Sequence, residues 1–151
     1  MARGFEKIKP LQRKTKKVVN RRQGKVGKAR KKEAYAFRKL MEQNGWLPLG
    51  TNLPVEDINP ILTFYAAAVR EDAKDFPEGD YQLDNALSRE QTLRGMTIWA
   101  AKANFEEQEK GGLEVGKFAD FIILNQNLME VAPLGILKTK VLLTFVNGEK
   151  V

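Results

Sequence analysis

Histidine and cysteine are both absent from this chain. Without cysteine there is no disulfide framework and no thiolate zinc site, so a reducing cytoplasm is the expected compartment. Without histidine no Ser-His-Asp arrangement is possible. Serine occurs once, at Ser88, which speaks against a transit peptide even though the N-terminus is basic and poor in acids. The N-terminus also has no apolar signal core, so secretion is not expected. No apolar run approaches the roughly 20 residues needed to cross a bilayer. Neither a P-loop nor a G-x-G-x-x-G is present, and Gly24-Lys25-Val26-Gly27-Lys28 lacks Walker spacing.

Across 151 residues the hydrophobic content is 42% and the charged content 30%, both globular values. The net charge of +7 is unevenly spread. Residues 1–32 hold 14 Lys and Arg against one acid, Glu6, a balance of +13. Residues 33–151 hold 12 basic and 18 acidic residues, a balance of −6. This split predicts a basic tail, 1–32, joined to a separate, mildly acidic body. The tail's large apolar residues are few (Phe5, Ile8, Leu11, Val18, Val19 and Val26), too few to offset the entropy of ordering it. Disorder is expected there. Its runs Arg13-Lys14-Thr15-Lys16-Lys17 and Lys28-Ala29-Arg30-Lys31-Lys32 suit phosphates, which makes nucleic acid a candidate partner. Phe5 is the tail's single aromatic, so base stacking has little support.

Helical spacing of Ala34, Phe37, Leu40 and Met41 predicts a helix from about residue 29 to 43, stopped by Asn44-Gly45. Trp46–Leu49 reads as a short buried strand, with Pro48 as a blemish. Gly50–Asn59 reads as loop, and Pro60 suits the first turn of a helix over Ile61–Arg70. Residues 71–87 read as surface loop. Ser88 and Gln91 have capping-box spacing and open a helix expected to reach about Phe105. Trp99, at helical spacing, is expected to pack in the core. Beyond Gly111-Gly112 the pattern turns to strands, over Phe118–Leu124 and Lys140–Val146, with Asn147-Gly148 as a hairpin turn.

Several segments then line up in order. Gly50–Glu56 resembles the pattern G-[ST]-D-x-P-V-E. Glu90–Glu107 resembles a last barrel helix. Gly111–Leu124 (GGLEVGKFADFIIL) resembles G-x-[LI]-x-x-G-K-x-A-D-x-[VI]-[VI]-L, and Thr144–Val151 resembles a closing hairpin. Together these resemble the C-terminal part of a metal-dependent amidohydrolase, of the branch called amidohydrolase 3 or YtcJ-like, over roughly residues 30–151. The resemblance implies a distorted (β/α)₈ barrel that hydrolyses C–N bonds through a metal-bound hydroxide, with a small β-sandwich alongside. It further implies an H-x-H pair, a carboxylated lysine or equivalent, further histidines, and an aspartate after the last strand that handles the proton of the attacking water.

Of that set this chain has the last position alone, and it holds Asn52. A carboxamide is neutral and cannot act as a general base near neutral pH. Asn52 is therefore expected to be a turn residue, non-functional in catalysis. Glu56 and Asp57 are read as capping or turn acids. Asp120 is read as structural, bonding backbone at the entry to the β-unit.

A whole TIM barrel needs about 250 residues. The expected fold is thus α/β: the last barrel strand and helices over 33–110, then a small antiparallel β-sandwich segment over 111–151. The expected function is that of an amidohydrolase-family fragment, truncated or one part of a split enzyme, inactive alone. The family's divalent metal, typically zinc, has no ligand set here. Apolar faces deprived of barrel neighbours predict self-association or a companion chain. The alternative is a small binding protein whose tail contacts nucleic acid.

Overall fold

Local chemistry places most of the element boundaries. The computed structural model describes residues 36–71 and 82–151. Every element below lies in one compact unit, Phe37–Val151. The expected disorder of residues 1–32, the start of the first helix and most of the 71–87 loop fall outside the described residues.

Helix α1 spans Phe37–Asn44 and ends where Gly45, at φ +75°, donates its N–H to Met41 O at 2.7 Å. Glycine carries no steric penalty in that left-handed conformation. Helix α2 spans Pro60–Val69. Its cap is Asn59, whose side chain accepts from Ile61 N at 3.0 Å. Asp57 in turn accepts from Asn59 N at 3.0 Å. The capping residue is therefore Asn59, with Asp57 one step further out.

A short 3₁₀ turn, Leu83–Asn85, precedes helix α3, Arg89–Met96. Both halves of the capping box form: Gln91 N donates to Ser88 Oγ at 3.1 Å, and Ser88 N donates to Gln91 Oε1 at 2.9 Å. The expected single helix to Phe105 is broken at Thr97 (φ −123°, ψ −98°), and α4 resumes over Ile98–Ala103. The Thr97 hydroxyl donates to Leu93 O at 2.8 Å, a back-bond that bends helices.

Three strands follow, with a short helix among them: β1 Phe121–Leu124, α5 Pro133–Ile136, β2 Val141–Val146 and β3 Glu149–Lys150. They form one antiparallel sheet in the order β1-β2-β3. Phe121 faces Phe145 and Ile123 faces Leu143, with a register shift before Leu124. The Phe121 and Phe145 rings stack at 4.5 Å between centroids. Asn147 (φ +51°) and Gly148 (φ +81°) make the expected two-residue turn, since both central residues of a type I′ turn need positive φ. The mixed helices and small sheet fit an α/β chain. Among the described residues there is neither a second sheet layer nor an arc of parallel barrel strands.

Trp46–Leu49 does not form a strand. It runs against α3, joined by a single backbone bond, Leu49 N to Gly95 O at 2.9 Å. Pro48 has no N–H to offer a ladder. A Cβ on Gly95 would lie 2.9 Å from Leu47 O, so the glycine that weakens the helix is what lets this segment approach.

The core gathers on α2. Ile61, Phe64 and Tyr65 pack with Leu128 and Ile136, flanked by Met96, Leu124, Val131 and Leu137. Burying a side chain the size of Phe64 or Ile136 contributes about 1.5–3 kcal/mol each. The sheet is covered far less well: Ile122, Ile123, Val141, Leu142 and Val146 are all exposed. Among the described residues no helix is long and apolar enough to cross a membrane.

Candidate functional site

The segment Gly50–Glu56 forms a tight surface turn. Asn52 sits at φ +56°, and its carbonyl accepts from Val55 N at 2.9 Å. The Leu53–Pro54 peptide bond inside the turn is cis. Asparagine tolerates positive φ better than most residues, so the backbone alone gives a reason for Asn52. Its side chain is exposed, as are Glu56 and Asp57.

The donors around this turn do not fit a resident zinc ion. Zinc sites take Cys, His or carboxylate donors, normally three or four together. The chain has no histidine and no cysteine. Asp57 is engaged with Asn59 N, and no group of three His, Cys, Asp or Glu that could hold a metal comes together among the described residues.

Asp120 does what its sequence position suggests: its Oδ1 accepts from Asn147 N at 2.7 Å, which ties the hairpin turn to the start of β1. Trp99 is half-buried and borders a groove, where core packing was expected. The groove, about 510 Å³, is flanked by Trp46, Trp99, Lys102, Glu107 and Lys117, and the 50–56 turn takes no part in it. The Lys102 ammonium stands 4.8 Å from the centre of the Trp46 ring. Glu107 Oε2 is out of water, and no donor among the described residues reaches it.

The segment that borders this groove, residues 104–118, is tightly built. Glu106 N donates to Ala101 O at 3.0 Å and Phe105 N to Lys102 O at 3.1 Å, a Schellman closure of α4. Phe118 N donates to Glu109 O at 2.8 Å. Lys110 pairs with Glu106 at 2.9 Å and Lys117 with Glu114 at 3.0 Å. The hydrogen bond from Lys110 holds the Glu106 carboxyl below the usual carboxylate range, and Lys117 does the same for Glu114. A Cβ on Gly111 would lie 2.8 Å from Ile98 Cα, so this loop is pressed against the start of α4. Helical periodicity gave no signal for the groove, because its walls come from three separate segments.

A profile described as the amidohydrolase family matches residues 17–151. The chain belongs to the amidohydrolase family. The match reaches further toward the N-terminus than the motif resemblance, which begins near residue 30. Among curated relatives, the protein LONG AFTER FAR-RED 3 of Arabidopsis thaliana is 35% identical over 79% of this chain and 20% of its own length. A Bacillus subtilis protein named as an amidohydrolase, YtcJ, is 24% identical over 82% of the chain and 23% of its own length. The N-substituted formamide deformylase of Arthrobacter pascens is 25% identical over 76% and 20%. The chain thus spans about a fifth of the length of these relatives. No solved structure matches it significantly.

Proposed function

We propose that this chain is the C-terminal portion of an amidohydrolase acting on C–N bonds other than peptide bonds, and that it does not hydrolyse substrate by itself. The observation that carries this is Asn52, exposed in a turn, at the position where the family pattern places an aspartate, in a chain without histidine. A carboxamide can accept a hydrogen bond or offer a weak carbonyl ligand, but it cannot take a proton from water near neutral pH. Loss of such a base commonly costs about 10²–10⁴-fold even where the rest of a site is complete.

The family's remaining ligands and its substrate pocket would belong to a separate barrel portion. The exposed apolar residues of the sheet support that reading, because strands apolar on both faces are normally covered on both. The family's metal, typically zinc, would be held by that other portion. The zero cysteine count supports a reducing cytoplasm.

The test is an assay of the purified chain with zinc against N-substituted formamides and simple N-acyl amines. No turnover above the buffer blank is expected, for the native chain or for Asn52→Asp. Zinc-dependent turnover that Asn52→Ala abolishes would overturn the reading.

The charge of residues 1–32 favours a second reading, in which that segment contacts RNA or DNA. Affinity for a duplex should then fall steeply with salt. A salt-independent affinity, or none at low salt, would count against it.

A further inference from the structure

We propose that the ordered loop 104–118 is a docking surface for the basic segment, residues 1–32, of a second copy of this chain. Phe105 lies just past the end of α4. It occupies the left-handed position of the Schellman closure, at φ +61°, where glycine is the favoured residue. A bulky side chain is strained there, and it persists where something else holds it. Burial does not, because Phe105 is 93% exposed. The same loop turns out Leu113, 71% exposed, and Val115, fully exposed. These side chains are presented by a backbone that its own hydrogen bonds and ion pairs already fix. Binding to such a prearranged surface costs little ordering entropy.

Charge selects the occupant. The loop carries Glu106, Glu107, Glu109 and Glu114 against Lys110 and Lys117. Both lysines are engaged, with Glu106 and Glu114. That leaves Glu107 and Glu109 without a cation among the described residues. The complement is a segment rich in Lys and Arg with apolar anchors. Residues 1–32 have that composition: a balance of +13 with Phe5, Ile8 and Leu11 between the basic residues. Ammonium and guanidinium groups would pair with the exposed Glu109 carboxylate and the outer face of Glu107, and apolar anchors would meet Phe105, Leu113 and Val115.

Sedimentation velocity on the nuclease-treated full chain, over a range of concentration and salt, reads this directly. The expected result is association that grows with concentration and weakens as salt shortens the reach of charge. Phe105→Gly should weaken it about tenfold or more while raising the melting temperature by about 2–4 °C. The double change Glu107→Gln with Glu109→Gln should weaken it without a loss of fold. Four outcomes would each overturn the proposal. They are a concentration-independent monomer, association lost on nuclease treatment, association unchanged in both variants, or a lower melting temperature for Phe105→Gly.

Discussion

Two helices of this molecule end on a bulky residue in the left-handed conformation, and the two residues fare very differently. Arg70, at φ +70°, closes α2 and is 8% exposed. Its guanidinium lies 5.4 Å from the centre of the Phe37 ring and donates to Gln82 Oε1 at 2.8 Å. Phe105, at φ +61°, closes α4 and touches water almost everywhere. At Arg70 packing and hydrogen bonding offset the backbone strain. At Phe105 nothing among the described residues offsets it. One helix end is therefore held by its own packing, and the other is not.

The largest effects should come from the packed core on α2. Phe64→Ala should cost about 3–5 kcal/mol in denaturant unfolding, since Phe64 is fully buried in the α2 core. Leu113→Ala, on the exposed loop, should stay within about 0.5 kcal/mol. A comparable loss at both sites would erase the contrast.

Glycine sharpens it next. Arg70→Gly removes strain but also the contacts with Phe37 and Gln82, and should destabilise by about 1–2 kcal/mol. Phe105→Gly removes strain and no contact among the described residues, and after glycine's added unfolded-state entropy it should still stabilise by about 0.5–1 kcal/mol. The same change should thus act with opposite sign at the two helix ends, and chemical denaturation of both variants checks it.

Acid should act most gently. The Glu106 and Glu114 carboxyls are held below their ordinary value near 4.5 by Lys110 and Lys117. The unfolded chain therefore binds their protons first as pH falls. The stability these pairs add is fully present above that ordinary value and is lost as pH drops through the lower folded values. A melting series between neutral and acid pH should show this as a small decline beginning near the carboxylate range. Replacing Lys110 and Lys117 by Met should reduce that share of the decline.

What was legible in the sequence was whatever local chemistry decides. The capping box of Ser88 and Gln91, the Asn147-Gly148 turn, the stop at Asn44-Gly45 and Pro60 in the first turn of α2 each need a few neighbouring residues, and all four formed. What failed depends on distant partners. Trp46–Leu49 is apolar enough for a strand, yet a strand needs a neighbour with free backbone groups, and its neighbour is Gly95 of a helix. At the break at Thr97 the distant part is Gly111, pressed against Ile98 at the start of α4, beside a local hydroxyl bond to Leu93. Asn52 was legible as a turn residue because its side-chain chemistry and its backbone conformation point the same way. The role of Phe105 was hidden, because helical periodicity carries no information about positive φ.

On the proposed function, the 50–56 turn is a conformational feature with no metal chemistry of its own. An amide proton–nitrogen correlation spectrum of the full chain, recorded with and without stoichiometric zinc, tests that most directly. The expected spectrum has dispersed peaks for the described body, with those of Asn52, Glu56 and Asp57 unmoved by zinc. If those three peaks shift or broaden together at one equivalent of zinc, the turn is a metal site, which contradicts the proposed function.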